Sequence, residues 1–401
     1  MALLAVNEAL ERLLDGAEPS ESETVAIAEA AGRVLAEPLT ARRTQPPFDA
    51  SAMDGYAVRA QDVARLPVTL RVIGIAPAGK RFAGVVGPGE AVRIFTGAPV
   101  PEGADTVVIQ EDTRKLDENT VEIVEAPAKG RHIRRRGLDF REGDALLDKG
   151  RLLDAAALSL AAAANYPALP VVKRPLLAII ATGDELMPPG SDTGPDQIIA
   201  SNAYGVAAIA EAAGARVLDL GIAPDRRQAI AALVRRAVDE GADVLVTLGG
   251  ASVGDHDLTH AVLTEQGMEL DFWKIAMRPG KPLMFGRLGR TRFIGLPGNP
   301  VASLVCSYLF LKPLLARLGG RHYAPDTLRA KLGAPLPAND RRQDYIRATL
   351  QDGPEGLLAT PFIVQDSSML KVFANANALI VREPHSPAAN AGDSCTVIRL
   401  R

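Results

Sequence analysis

Cysteine is nearly missing from this chain of 401 residues. The two that occur, Cys306 and Cys395, stand in no metal-like spacing, which gives no disulfide framework and fits a reducing compartment. No excess of one charge is present either, with 45 basic against 48 acidic side chains and a net charge of −3. That balance removes any global electrostatic case for nucleic acid. Uninterrupted apolar stretches are too short to cross a bilayer. The opening MALLAVNEALERLLDGAE carries acids where a signal peptide would carry lysine or arginine. A soluble, cytoplasmic protein without membrane or nucleic-acid partners is the expectation. Nucleotide motifs are absent too: there is no GxxxxGKS/T, and no GxGxxG follows the first strand of the α/β part. The HDLTH string, His256 to His260, spaces two imidazoles as a zinc peptidase does, but it lacks the glutamate of HExxH and an obvious third ligand.

What is present is ample core material, at 47% hydrophobic, enough for two to four domains. Residues 1 to about 44 read as helices: Leu3, Val6, Leu10, Leu13 and Leu14 recur at helical spacing, and a second helix is predicted over Val25 to Leu35, broken by Gly32. From Pro46 to about Pro127 the runs VTLRVIG, AVRIFTG, DTVVIQED and TVEIVEA read as strands. Helical periodicity returns over Leu152 to Tyr166, so the β segment looks inserted into a helical part. Between about 171 and 324, strands at Leu176, Arg216, Asp243 and Arg292 alternate with helices near Ala203–Ala213, Arg226–Glu240, Leu258–Glu265 and Val301–Leu318. That alternation predicts a parallel sheet covered on both faces. The tail reads as β again, through LRAKLGAPL, YIRATL, GLLATPFI, ALIVRE and SCTVIRL.

Three glycine-bearing turns leave apolar runs of the α/β part: ATGDEL, TLGGASVGDHD and GLPGNPV. Such turns at strand ends present N–H groups to an oxyanion and point to one crevice for a phosphorylated small molecule. Glu185, Asp225, Asp255 and Asp257 follow strands of the same part, where converging carboxylates could hold Mg²⁺ beside a phosphate. Asp225 and Asp257 equally suit helix caps, and Asp184 a turn. Opposite in sign, Lys274, Arg278 and Lys281 bracket a Pro-Gly turn and suit an oxyanion or a solvated surface. Arg131, Arg134, Arg135 and Arg136 could bind phosphate or line a salt-bridged face. Cys306, in VASLVCSYLFL, reads as core.

Taken in order, PPFDASAMDGYAV (Pro46 to Val58), IFTGAPVP (Ile94 to Pro101), RRRGLDF, ATGDEL, TLGGASVGDHD, RPGKP and GLPGNPV resemble the molybdopterin molybdenumtransferase family, the MoeA family, which includes the E domain of gephyrin. The resemblance spans nearly the whole chain. It implies a multidomain α/β plus β fold: a three-layer, MogA-like molybdopterin-binding domain at 171–324, an inserted β domain at 45–133, a helical linking domain at 1–44 and 134–170, and a C-terminal β-barrel-like domain at 325–401. It further implies a molybdenum insertase that hydrolyses adenylylated molybdopterin with Mg²⁺ and molybdate, releasing molybdenum cofactor and AMP. A homodimer is implied, with the active site between the α/β domain of one subunit and the inserted domain of the other. Molybdopterin adenylyltransferase and apo-molybdoenzymes are the implied partners.

By the same resemblance, Asp54, Glu185, Asp225 and Asp257 are catalytic, the last three also as Mg²⁺ ligands. Thr96, Asp139, Gly249, Gly250, Ser252, Pro297 and Pro300 fall to substrate binding, and Lys274, Arg278, Arg347 and Ser367 to molybdate. The chain departs from relatives at Leu138, where glutamate is common, at Arg278, where lysine is common, and around Ser367, where QDSSMLK replaces flanking glycines. Two other readings stand beside this one. An adenylyltransferase would share only the α/β part, and a scaffold would be an added role.

Overall fold

The computed structural model describes residues 3–249, 258–353 and 355–400. Its backbone divides into two units, one made of Met1–Glu23, Gly32–Ala36 and Pro170–Arg401, the other of Thr24–Ala31 and Glu37–Leu169. The N-terminal helix α1 (Val6–Leu14) buries Val6, Ala9 and Leu13 along one stripe, as its spacing predicts. The second predicted helix does not form. Ser22–Ala26 is a strand, Ile27–Glu29 a single 3₁₀ turn, and Gly32 adopts φ +69°. Thr24 and Val25 favour extended backbone, and the stretch is too short to repay helix nucleation without a packed face.

In the second unit the inserted segment is one six-stranded sheet of β1 (Gly55–Val58), β2 (Val68–Ala76), β3 (Glu90–Ile94), β4 (Thr106–Ile109), β5 (Thr113–Lys115) and β6 (Thr120–Ile123). Its spatial order is β4-β1-β3-β2-β6-β5. Alternation sends Tyr56, Val58, Val108 and Val121 to one core and Ala57, Val92, Ile94 and Val107 to another. Helix α2 (Ala155–Ala163) begins at Asp154, whose Oδ1 accepts the Ala157 N–H at 2.9 Å.

The first unit contains a second six-stranded sheet: β7 (Leu176–Thr182), β8 (Arg216–Ala223), β9 (Val244–Leu248), β10 (Glu269–Phe272), β11 (Met284–Leu288) and β12 (Thr291–Leu296). The order is β8-β7-β9-β12-β11-β10. The first four are parallel, while β11 and β10 continue antiparallel, so the sheet is mixed rather than wholly parallel. The reason is local, since β11 and β12 are joined by only Gly289 and Arg290, with Gly289 at φ +58°, a hairpin that cannot make a parallel crossover.

Helices α3 (Asn202–Ala212) and α6 (Pro300–Leu318), with α1, cover one face of this sheet around Ile179, Val246 and Ile294. Helices α4 (Arg227–Asp239) and α5 (Leu258–Glu265) cover the other around Ile180, Leu245 and Phe293. The result is three layers, α/β/α. By length and composition α6 could cross a membrane, but its residues are mostly buried in this core. A π-helical stretch, Ser307–Leu311, interrupts it.

The tail forms β13 (Thr327–Leu332), β14 (Gln343–Gly353), β15 (Gly356–Pro361), β16 (Ala378–Arg382) and β17 (Ser394–Arg399), with α7 (Leu370–Asn375). Pairing runs β14-β15-β13-β17-β16 and returns to β14, a closed barrel that leaves no free edge. The two-residue strand Met277–Arg278 pairs with β14, placing Arg278 opposite Asp344.

Candidate active site

Parallel strands bring their carboxyl ends to one edge of the sheet, and there the turns after β7, β8, β9 and β12 open on a cavity of about 1070 Å³. Glu185, Asp225 and Gly249 line it, as do Pro297, Gly298, Asn299 and Pro300. Glycine is required at two of these turns. Gly183 has φ +150° and Gly249 φ +95°, and a Cβ on Gly249 would stand 2.8 Å from the Thr182 carbonyl oxygen. The Asp225 N–H donates to Asp184 Oδ1 at 3.0 Å. Burial first, then the nearby charges of Asp184 and Glu185, raise the Asp225 carboxyl above its ordinary value.

Lys274, Arg278 and Lys281 line the same cavity as the acids, Lys274 half-buried and the other two exposed at its mouth. A third group comes from the barrel side: Arg342, Gln365, Asp366 and Ser367. Ser367 is stitched to the turn after β12, because its Oγ accepts from Asn299 Nδ2 at 2.8 Å and its carbonyl from the Val301 N–H at 2.9 Å. The negative charge of Asp366, in the QDSSMLK departure, is turned onto Ser368, whose N–H and hydroxyl donate to it at 2.8 and 2.6 Å and hold its pKa down.

Arg347 is not among the lining residues. It is buried behind the wall, 2% exposed, its guanidinium donating to the Tyr345 and Asp366 carbonyls, and burial drives its pKa down to about 10. Its backbone N–H donates to Gln365 Oε1 at 2.9 Å, so it supports the Gln365–Ser367 segment from the rear. Gly250, Ser252, Asp255, His256 and Asp257 lie outside the described residues.

In the other unit, Asp54 Oδ1 accepts from the Thr96 N–H at 2.7 Å and its hydroxyl at 2.9 Å. These bonds, the backbone one first, lower the Asp54 carboxyl. Asp139 is exposed, its N–H donating to the Gln45 carbonyl at 3.1 Å. Of the basic run, Arg135 donates to Asp49 at 2.7 Å and the Arg136 N–H at 2.8 Å. Those two hold the PPFD loop.

The donors available to a divalent cation are hard carboxylate oxygens, the type Mg²⁺ takes. Beyond burial, the repulsion from Asp184 and Glu185 that helps to raise Asp225 is what a bound cation would relieve, so Glu185 and Asp225 fit it. Among the described residues no group of three His, Cys, Asp or Glu side chains is gathered in a metal-like arrangement, and a cation here needs water or substrate oxygens to complete its shell. His260 stacks on Trp273, ring centroids 4.8 Å apart. Cys306 is fully buried against Gly280, and burial pushes its thiol up, consistent with core.

Sequence reasoning missed Asn202, Asn299 and Arg342. Asn202 Nδ2 donates to the Gly298 carbonyl at 2.8 Å. The Asn-Pro of GLPGNPV was a usable signal for Asn299; nothing in the charged stretch NDRRQD singled out Arg342.

A three-layer domain whose strand-edge cavity is lined by both acids and cations, followed by a closed barrel, defines a multidomain α/β enzyme. The chain matches the MoeA N-terminal region (domain I and II) over residues 4–165, a probable molybdopterin binding domain over 178–317 and the MoeA C-terminal region (domain IV) over 329–400. It is 35% identical to a molybdopterin molybdenumtransferase of Haemophilus influenzae, covering 98% of each chain, and 35% identical to that of Bacillus subtilis, covering 99% of this chain and 94% of that one. A crystal structure of the molybdopterin biosynthesis moeA protein from Pyrococcus horikoshii superposes with TM-score 0.83 at 31% identity over the full length of both. The chain belongs to the molybdopterin molybdenumtransferase family and is an enzyme of molybdenum cofactor biosynthesis.

Proposed function

We propose that this enzyme hydrolyses adenylylated molybdopterin in a molybdate-dependent step, releasing molybdenum cofactor and AMP. The observation that supports the reading is that one cavity is lined both by acids, Glu185 and Asp225, and by cations, Lys274, Arg278 and Lys281. The cations and Ser367 suit a doubly charged tetrahedral oxyanion. The turns at Gly249 and Gly298 suit phosphate and pterin. Held by Glu185 and Asp225, and by Asp257 in the family pattern, Mg²⁺ would neutralise charge on the pyrophosphate oxygens. Water attacks phosphorus, the bridging P–O bond breaks to leave AMP and molybdopterin phosphate, and the proton leaves through a carboxylate; molybdate exchanges oxide for the two molybdopterin sulfurs, the oxide leaving with the thiol protons as water.

The reading includes a cytoplasmic homodimer in which Asp54, Thr96 and Asp139 complete the site of a partner subunit. This part rests on family resemblance. AMP release from adenylylated molybdopterin, followed anaerobically with Mg²⁺, with and without molybdate, tests the whole. Molybdate-dependent release is expected, with Glu185→Gln and Asp225→Asn each lowering it about a hundredfold or more in a folded protein. Release indifferent to molybdate, or full activity in either variant, overturns the reading.

A further inference from the structure

We propose that Arg342 is an additional oxyanion-binding residue of this cavity, and that Asp340, which bridges Arg342 to Arg278, is an internal competitor that limits how tightly the oxyanion is held. The proposal rests on the oxyanion reading of the cavity. Arg278 and Arg342 line the same space as Lys274, Lys281 and Ser367. Between the two guanidinium groups stands one carboxylate. Asp340 Oδ2 accepts from Arg342 Nη2 at 2.9 Å and lies 3.5 Å from Arg278 Nη1, while its Oδ1 accepts from the Arg342 N–H at 2.8 Å and from Nε at 3.4 Å.

Asp340 therefore takes the forked Nε/Nη2 edge of Arg342, the same edge that two oxygens of a tetrahedral anion would take. The hydrogen bonds from Arg342 bring its pKa down to about 2, so it competes as a full charge at any working pH. The segment is held ready: Asn339 Nδ2 donates to the carbonyls of Arg342, Arg382 and Glu383 at 2.7, 3.1 and 3.0 Å. Arg278 has a second anchor in Asp344, which is 7% exposed, so losing Asp340 releases its Nη1 without freeing its position. Asp340 is half-exposed, and a pair of that kind is weak enough to be displaced by a dianion.

Calorimetric titration of the full chain with sodium molybdate, in the absence of pterin, reads this directly. Asp340→Asn should tighten binding about two- to fivefold, the range an exposed ion pair commands. Arg342→Ala should weaken it by about as much, more at low salt than at high. In the Arg342→Ala background the gain from Asp340→Asn should shrink, which a merely structural role of Asp340 would not produce. If Asp340→Asn folds poorly, Asp340→Ser carries the same expectation. Wild-type binding with Asp340→Asn equal or weaker, or with Arg342→Ala unchanged, overturns the proposal and leaves the parent reading standing. No binding of molybdate by the wild type, at any salt, overturns both.

Discussion

At the scale of single residues, Asp225 shows how the site stores charge. Its carboxyl is raised by burial and by Asp184 and Glu185, so ionising it opposes folding. Below the ordinary carboxylate range both folded and unfolded forms are protonated and nothing is lost; as pH rises through the raised value the cost becomes complete and stays. Asp225→Asn should therefore melt slightly higher than wild type at pH 7, by about 1–2 °C given the exposure of the group, with the advantage gone below about pH 4. Mg²⁺ at pH 7 should raise the melting temperature of the wild type and not of the variant. Melting curves at the two pH values check both statements. Residue identity at this edge was legible in the sequence because turns of Gly, Asp and Glu after apolar runs have few structural uses. Arg347 was legible as a cation but not as a buried one, since a position on a strand does not say which side of a wall the side chain occupies.

At the scale of elements, α6 joins core to chemistry. Its first turn carries Pro300 into the cavity wall, and its body buries Phe310, Leu311, Leu314 and Leu315 without exposure. Phe310→Ala should cost about 3–5 kcal/mol, read as a lower denaturant midpoint with an unchanged slope. The same helix illustrates why element reading succeeded where it did: nineteen residues between an Asn-Pro turn and Gly319-Gly320 carry an unambiguous start and stop. Val25–Leu35 had apolar spacing broken at Gly32, and strand and 3₁₀ turn formed instead. The antiparallel pair β10 and β11 was missed because WKIAMRPGKPLMFG reads first as a cationic turn. The hairpin from β11 to β12 turns at Gly289, directly after β11.

At the scale of the whole molecule, the homodimer proposal gives a test that no monomer could pass. Light scattering should return twice the 42.3 kDa chain mass. Co-refolded Asp54→Asn and Glu185→Gln chains, each inactive alone, should recover about a quarter of the wild-type activity. Half the dimers would then be mixed and each would hold one intact site. No recovery, or a monomer, would exclude a site shared between subunits.

Element order, the succession of helical, β, α/β and β segments, and the residue types at the strand ends follow from periodicity and turn chemistry, which are local and therefore written in the chain. Folding alone decided which charges meet. Lys274, Arg278, Arg342 and Ser367 lie up to 93 positions apart in sequence (274 to 367) yet line one cavity, because a two-residue strand ties Arg278 to β14 and a serine carbonyl ties the barrel loop to α6. Burial also lowers the pKa of Arg347 and raises that of Asp225. Such contacts depend on register and layer packing among distant segments, and no local pattern encodes them.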